Sequence, residues 1–223
     1  MKMKKVTVFT GIDGSGKTTQ VQLLVDYFRK KGIKVKSVQQ FAPDPLEKPF
    51  LRIAAPALKK LERSASNKTY FEQKNSNRGS FLKSLLRICN VARIVCRGVI
   101  HTRGGIISNR SQTIIFDRYF YDALIKVKWM YGISDRLEKA LMKLVPQPFL
   151  LFYLDVPAEE AWNREKDGDT TLDQHRWKKQ LYDEWFEKIG KKHKNFYRVD
   201  VEGDENKTHL EIISVLRKAM CGE

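Results

Sequence analysis

Residues 6–24 read VTVFTGIDGSGKTTQVQLL. The first five are apolar or β-branched and have the length of a buried strand. Beyond the middle, Val21, Leu24, Val25 and Phe28 recur at i, i+3, i+4 and i+7, one face of a helix that Gly32 closes. Between strand and helix lie three glycines, a stretch with too little side chain to pack against anything. A backbone left bare in that way is there to hold a ligand.

The segment Gly11 to Thr18, GIDGSGKT, satisfies G-x-x-x-x-G-K-[ST] with a strand before it and a helix after it, the context a phosphate-binding P-loop requires. The glycines allow backbone N–H groups to turn inward on phosphate oxygens at the positive end of the helix. Gly11, Ile12, Asp13, Gly14, Ser15, Gly16, Lys17, Thr18 and Thr19 are therefore the expected ATP-binding set. Lys17 can reach the β- and γ-phosphates, and the Thr18 hydroxyl is placed to ligate magnesium.

The strand–helix alternation continues outward. KVKSVQQF (34–41), QTIIFD (112–117) and FLLFYLDV (149–156) read as further buried strands, and FYRVDV (196–201) as a weaker fifth. Leu137, Ala140, Leu141 and Leu144 trace a helix face before Pro146. THLE (208–211) has the form of a capping box ahead of Leu210, Ile213 and Leu216. Between them, Leu82, Leu85, Leu86, Val91, Ile94, Val95 and Val99 suit one or two long helices, interrupted by Lys83, Arg87, Arg93, Arg97 and Arg103. The expectation is an α/β fold: a P-loop three-layer α/β/α domain over 1–223, with a five-stranded parallel sheet, a helical insertion and a lid. Ligands of such sheets bind at the carboxyl ends of the strands.

Composition narrows the class. The 223 residues suffice for one well-buried core, with 30% charged and 42% hydrophobic residues. No apolar run approaches the roughly 20 residues that cross a bilayer, so no membrane partner is expected. The basic N-terminus MKMKKVTVFTG runs into the glycine loop and does not read as a signal peptide. Three cysteines, Cys89, Cys96 and Cys221, lack metal-ligand spacing and fit a reducing, cytoplasmic setting. The net charge of +16 suits anionic partners or a solvated basic surface.

A second constellation follows in TIIFDRYFYD. Asp117 and Arg118 stand at the carboxyl end of a strand, on the P-loop edge of the sheet. An acid there can hold the magnesium shell, directly or through water, or orient a hydroxyl; the arginine can grip a second phosphate in two-pronged fashion. After Pro157, the segment AWNREKDGDTTLDQHRW carries Arg164 and Lys166, read either as lid cations or as a solvated turn, with the lid at about 158–173.

GIDGSGKTTQ, then FDRY, then FYLDVPAEEAWNRE together resemble the thymidylate kinases among the nucleoside monophosphate kinases, and the resemblance spans nearly the whole chain. It implies magnesium-dependent transfer of the ATP γ-phosphoryl group to dTMP. By that resemblance Lys17, Asp117, Arg118 and Arg164 are catalytic, Thr18 and Asp117 serve the metal, and Asp13, Phe41, Arg97, Arg118 and Tyr119 receive the acceptor. It also implies a homodimer, which would absorb the surplus apolar positions of Leu82 to Val99. Ordinary packing or surface roles remain open for Phe41, Arg97 and Tyr119.

The chain departs from the family pattern at several points. The usual F-E-G opening is FTG, with Thr10 for glutamate; Asp122 stands where D-R-Y is usually followed by a serine; an R-E-P-G-type loop is absent; the lid has few arginines. A charge at Asp122 facing the base would relax the preference for dTMP. Other readings are a kinase of the same fold with another nucleotide, a nucleoside or a sugar metabolite as acceptor, a nucleic-acid-associated ATPase, and a structural ATP-binding module. Nucleic acid is not the expected partner, since the length leaves no room for a second domain.

Overall fold

A computed structural model describes residues 6–39, 81–109, 112–165, 170–188, 191, 193–201 and 203–221 of the chain. The elements are β1 (Val6–Thr10), α1 (Lys17–Lys30), β2 (Val35–Gln39), α2 (Phe81–Ser108), β3 (Thr113–Asp117), α3 (Phe120–Tyr131), α4 (Asp135–Met142), β4 (Leu150–Asp155), α5 (Ala158–Arg164), α6 (Leu172–Lys188), β5 (Phe196–Asp200) and α7 (Glu205–Cys221). All five expected strands form, in one parallel sheet of order β2-β3-β1-β4-β5.

Burial on both faces explains the continuous apolar runs of the inner strands. Every residue of β1 is buried, as are Ile114–Asp117 in β3 and Leu150–Leu154 in β4. β2, read from sequence as buried, is an edge strand whose Lys36, Ser37 and Gln39 face solvent. The chain leaves β1 for one side of the sheet and leaves β3 for the other, so a crevice opens where their carboxyl ends meet. Register fixes that meeting point: Phe9 lies opposite Asp117, with the P-loop two residues on.

Two helices differ from their sequence readings. α4 exists, but its Leu137, Ala140 and Leu144 are exposed while Glu138 is buried. Glu138 turns inward to Lys128 of α3, which donates to it at 2.7 Å and to the exposed Asp135 at 2.8 Å. α7 begins one turn before THLE. Asp204 accepts from the Asn206 N–H at 2.8 Å and so takes the capping role, placing Thr208 inside the helix. Leu210 consequently points to solvent, and Ile212, Ile213 and Leu216 make the buried face. The long insertion is a single helix, α2; Ile94, Val95, Gly98 and Thr102 face the protein, and Ile88, Cys89, Ala92, Cys96, Ile100 and Ile107 face out. Among the described residues no helix is long and apolar enough to cross a membrane.

Candidate active site

The loop between β1 and α1 is built to receive an anion. Gly16 caps α1 in the left-handed region (φ 81°) with no side-chain hydrogen bond to the helix end, and the first turn contains no acid. Its N–H groups are left for a ligand, at the positive end of the helix dipole. Gly14 is needed for a further reason: a Cβ there would lie 2.2 Å from the Ala161 carbonyl oxygen of α5, so only glycine lets the loop pack directly on the segment after β4. Ser15 is buried, Ile12 joins the core and Thr19 is half-buried in the first turn.

Lys17 is buried and folds back into this loop. Its ammonium donates to the Ile12 carbonyl at 2.5 Å and to the Ser15 hydroxyl at 3.2 Å. Burial, with Arg118 adding repulsion, lowers its pKa to about 8, against the pull of Asp13, Asp122 and Asp117. These two acceptors are weak substitutes for phosphate oxygens, so the lysine has little to lose by moving onto a ligand.

The end of β3 meets the loop at two points. Thr18 donates its hydroxyl to Asp117 at 2.7 Å. Arg118 pairs with Asp13, and its N–H donates to the Phe9 carbonyl at 3.0 Å. Successive side chains of a strand point to opposite faces; Arg118 has φ 70°, alone among the described non-glycine residues, and this bend brings both neighbours onto the P-loop. Such a conformation costs about 1–3 kcal/mol and persists where its surroundings enforce it. Burial would raise the Asp13 pKa, but Arg118, Lys178 and Lys17 hold the carboxyl well below the usual range. The Arg118 guanidinium, despite burial, is held more firmly protonated by Asp13.

Thr18 and Asp117 offer a hydroxyl and a carboxylate side by side. Magnesium binds to one or two such oxygens and completes its shell with water and phosphate. The pair therefore fits the metal, and among the described residues no cluster of three or more His, Cys, Asp or Glu side chains stands ready for one.

The lid side contributes two cations. Arg164, at the end of α5, pairs with Glu160 and reaches the Gly14 carbonyl at 3.5 Å, so it stands beside the loop in partly exposed form. Lys178 of α6 donates to Asp13 at 3.1 Å. Sequence reading missed Lys178. The available signal was its helical phase, since it falls in the stripe of His175, Tyr182 and Trp185, all buried. Lys166 and Phe41 lie outside the described residues. Arg97 is half-buried midway along α2.

Two sequence expectations about the pocket change. Tyr119 does not wall a cleft: it is fully buried, packs edge-on against Phe116 and Tyr121, and donates its hydroxyl to the Pro146 carbonyl at 2.7 Å. Asp122 does not face the base. It is buried and accepts from Thr10 (2.8 Å), Tyr182 (2.8 Å) and the Tyr119 N–H (2.8 Å). Burial pushes its pKa up, opposed by Arg118 and by these three donors. Thr10 and Asp122, two of the departures from the family pattern, are thus hydrogen-bonded to each other.

No family model matches the chain. The chain is 30% identical over 161 residues to the probable thymidylate kinase of Pyrococcus horikoshii, covering 71% of this chain and 68% of that one. It is 24% identical over 221 residues to the probable thymidylate kinase of Pyrococcus abyssi, covering 96% and 97%. With the thymidylate kinase of Plasmodium falciparum it shares 28% identity over 190 residues, covering 82% and 76%. In fold it is similar to the crystal structure of thymidylate kinase from Ehrlichia chaffeensis, with a TM-score of 0.59, 20% identity, and 96% and 98% of the two chains covered.

Two outcomes follow from this geometry. With a Lys17 pKa of about 8 in the free protein, a polyphosphate can bind the charged lysine freely below pH 8 and must draw a proton above it. ATP affinity is expected to be flat from pH 7 to 8 and to fall about tenfold per unit above, until the pKa of the complex is passed. Calorimetry at pH 7, 8 and 9 in two buffers of different ionisation heat checks this; a constant Kd without proton uptake refutes it. The second outcome concerns the exchanged pair. Thr10→Glu alone sets two carboxyls together in a buried site and should destabilise by about 3 kcal/mol or more, roughly 6–12 °C in Tm. Adding Asp122→Ser should restore most of that loss in a thermal-melt cycle. A double variant as unstable as the sum of the singles would show that the two positions are independent.

Proposed function

The chain belongs to the thymidylate kinase family, and from that premise we propose that it transfers the γ-phosphoryl group of ATP to dTMP, giving dTDP and ADP. The observation that carries this reading is the pairing of the P-loop with the end of β3, Thr18 on Asp117 and Asp13 on Arg118. It supplies one phosphate cradle and, beside it, a second cation with a carboxylate, which is what transfer between two phosphates needs.

In the transfer, a phosphate oxygen of dTMP attacks the γ-phosphorus, and the bond to the β,γ-bridging oxygen breaks, leaving ADP. The N–H groups of residues 11–19 hold the donor phosphates. Lys17 moves from the Ile12 carbonyl and Ser15 hydroxyl onto the β- and γ-oxygens. Thr18 and Asp117 would hold magnesium, which when bound would supply charge neutralisation to the donor phosphates. Arg118 grips the dTMP phosphate and Asp13 accepts from the acceptor sugar hydroxyl. Arg164 leaves Glu160 to meet the transferring phosphate. Phe41 and Arg97 belong to the acceptor side; Tyr119 acts only from the core, where it anchors the start of α3. The chain 1–223 works as one kinase unit with its lid at about 158–173. The free, exposed thiols of Cys89 and Cys96 support a reducing, cytoplasmic setting. No observation favours a different acceptor or a nucleic-acid-associated ATPase.

ADP release with dTMP, dUMP, dCMP and dGMP tests the reading. Turnover of dTMP is expected, and because Asp122 is withdrawn from the cleft, so is a preference for it. Lys17→Ala should lower kcat at least about 100-fold with the fold intact, since removal of one such phosphate-stabilising group typically costs that much. Failure of the wild-type protein to phosphorylate any of the four would refute the reading.

We also propose a homodimer through α2. Ile88 and Ile100 are 65% and 67% exposed on the outer face of that helix, where Cys89, Ala92, Cys96 and Ile107 are also exposed. A two-fold contact would cover this stripe. Light scattering at micromolar concentration should report twice the 26.0 kDa chain mass, and Ile100→Glu should return the monomer. A wild-type monomer at that concentration rules the dimer out.

A further inference from the structure

In the reading above Arg118 must take the acceptor's phosphate, yet in the structure it is already paired with Asp13. That pair competes with substrate. It is also partly shielded from water, with both side chains 27% exposed, so opening it leaves a carboxylate without its counter-charge. Asp13, however, has a second partner. Its other oxygen, Oδ2, accepts from Lys178 at 3.1 Å, while Arg118 occupies Oδ1. Lys178 is well placed to stay there when Arg118 leaves. Its side chain is 18% exposed, and its ammonium lies 5.4 Å from the centre of the Trp129 ring of α3, a cation–π contact that helps hold it at this spot.

A carboxylate shared between two cations holds each less tightly than it would hold one, because the cations repel each other and divide its field. We propose that Lys178 is a positioning residue for Arg118: it keeps Asp13 neutralised, so that the arginine is free to move to the phosphate of the incoming nucleoside monophosphate. The inference rests on the proposed kinase function and assigns a role to a residue of α6, a helix that carries no motif. Lys178 also offsets the sparse arginine content of the lid, since it brings a cation to the P-loop acid from the helix that follows it.

Lys178→Met is the decisive variant, with Lys178→Arg as its conservative control. Without the ammonium, Arg118 should remain on Asp13 and compete with the acceptor. The KM for dTMP, and its Kd by calorimetry with dTMP alone, should rise about tenfold, the effect of roughly one decade that a partly shielded charge contributes. The KM for ATP and kcat should change less than twofold, and Lys178→Arg should recover most of the dTMP affinity. In an Asp13→Asn background Arg118 is no longer held, so Lys178→Met should alter dTMP binding less than twofold there. A merely structural lysine would behave otherwise: ATP and dTMP constants would weaken together with Tm, equally in both backgrounds, and that result overturns the proposal. Unchanged dTMP affinity in Lys178→Met also overturns it while leaving the kinase reading intact. A wild-type protein that neither binds nor phosphorylates dTMP refutes the kinase reading itself, and the positioning role falls with it.

Discussion

The register between β1 and β3 is the constraint on which the cleft depends. With Phe9 opposite Asp117, the chain emerges from β1 into the P-loop at the level where β3 delivers Asp117 and Arg118. A slip of one residue would turn those side chains to the other face of the sheet. The register is in turn secured by burial: Val8, Phe9, Ile114, Ile115 and Phe116 are inaccessible to solvent, and any shift would expose some of them. The left-handed turn at Arg118 then corrects the one difficulty that a strand imposes, the alternation of its side chains. Its N–H remains tied to the Phe9 carbonyl, so the bend is fastened to the same strand pair that makes it necessary.

From that frame the electrostatics of the cleft follow. Lys17, Arg118 and Lys178 gather near Asp13, Asp117 and Asp122, three cations and three carboxylates at the mouth of the P-loop. The protein satisfies these cations internally: Lys17 by a carbonyl and a hydroxyl, Arg118 and Lys178 by one shared carboxylate. Such preorganised charges are most effective when little rearrangement is needed to redirect them. The weak acceptors of Lys17 and the shared acceptor of Arg118 meet that requirement in two different ways. Asp122 has a different function, for its three donors hold together the end of β1, the start of α3 and the middle of α6.

Much of this is written locally and could be read from sequence. The inner strands are continuous apolar runs, the P-loop is a contiguous motif between a strand and a helix, and Asp117–Arg118 closes a strand. Each is decided by neighbours within a dozen residues. What sequence reading missed is decided across the fold. Lys178 meets Asp13 over 165 positions, and only its place in the buried stripe of α6 hints at a partner. Tyr119 sits next to a site arginine and so reads as a pocket wall, but the turn at Arg118 sends its ring into the core. The stripe of α4 has the right period, but of its leucines only Leu141 packs against the core, while Leu137 and Leu144 are exposed and Glu138 is buried against Lys128. At α7, two capping signals compete four residues apart, and Asp204 wins by lying at the point where the chain leaves β5.

Thr10 and Asp122 show how far such non-local effects can alter a functional reading. Taken singly, each departs from the thymidylate kinase pattern: a hydroxyl where a strand usually ends in an acid, and an acid where a helix usually carries a hydroxyl. Taken singly, Asp122 suggests a charge in the base pocket. In the fold the two side chains are 2.8 Å apart, so the acid and the hydroxyl are both still present, with their positions exchanged. The exchange has a physical rationale. Asp122 is the third residue of α3, where its other oxygen accepts the Tyr119 N–H and where the helix dipole favours a negative charge. An acid on β1 would have neither support. The helix end therefore gives the carboxylate better surroundings than the strand would. Asp122 thus stands in the wall behind the P-loop, where its charge acts on Lys17 and Arg118 without facing the cleft.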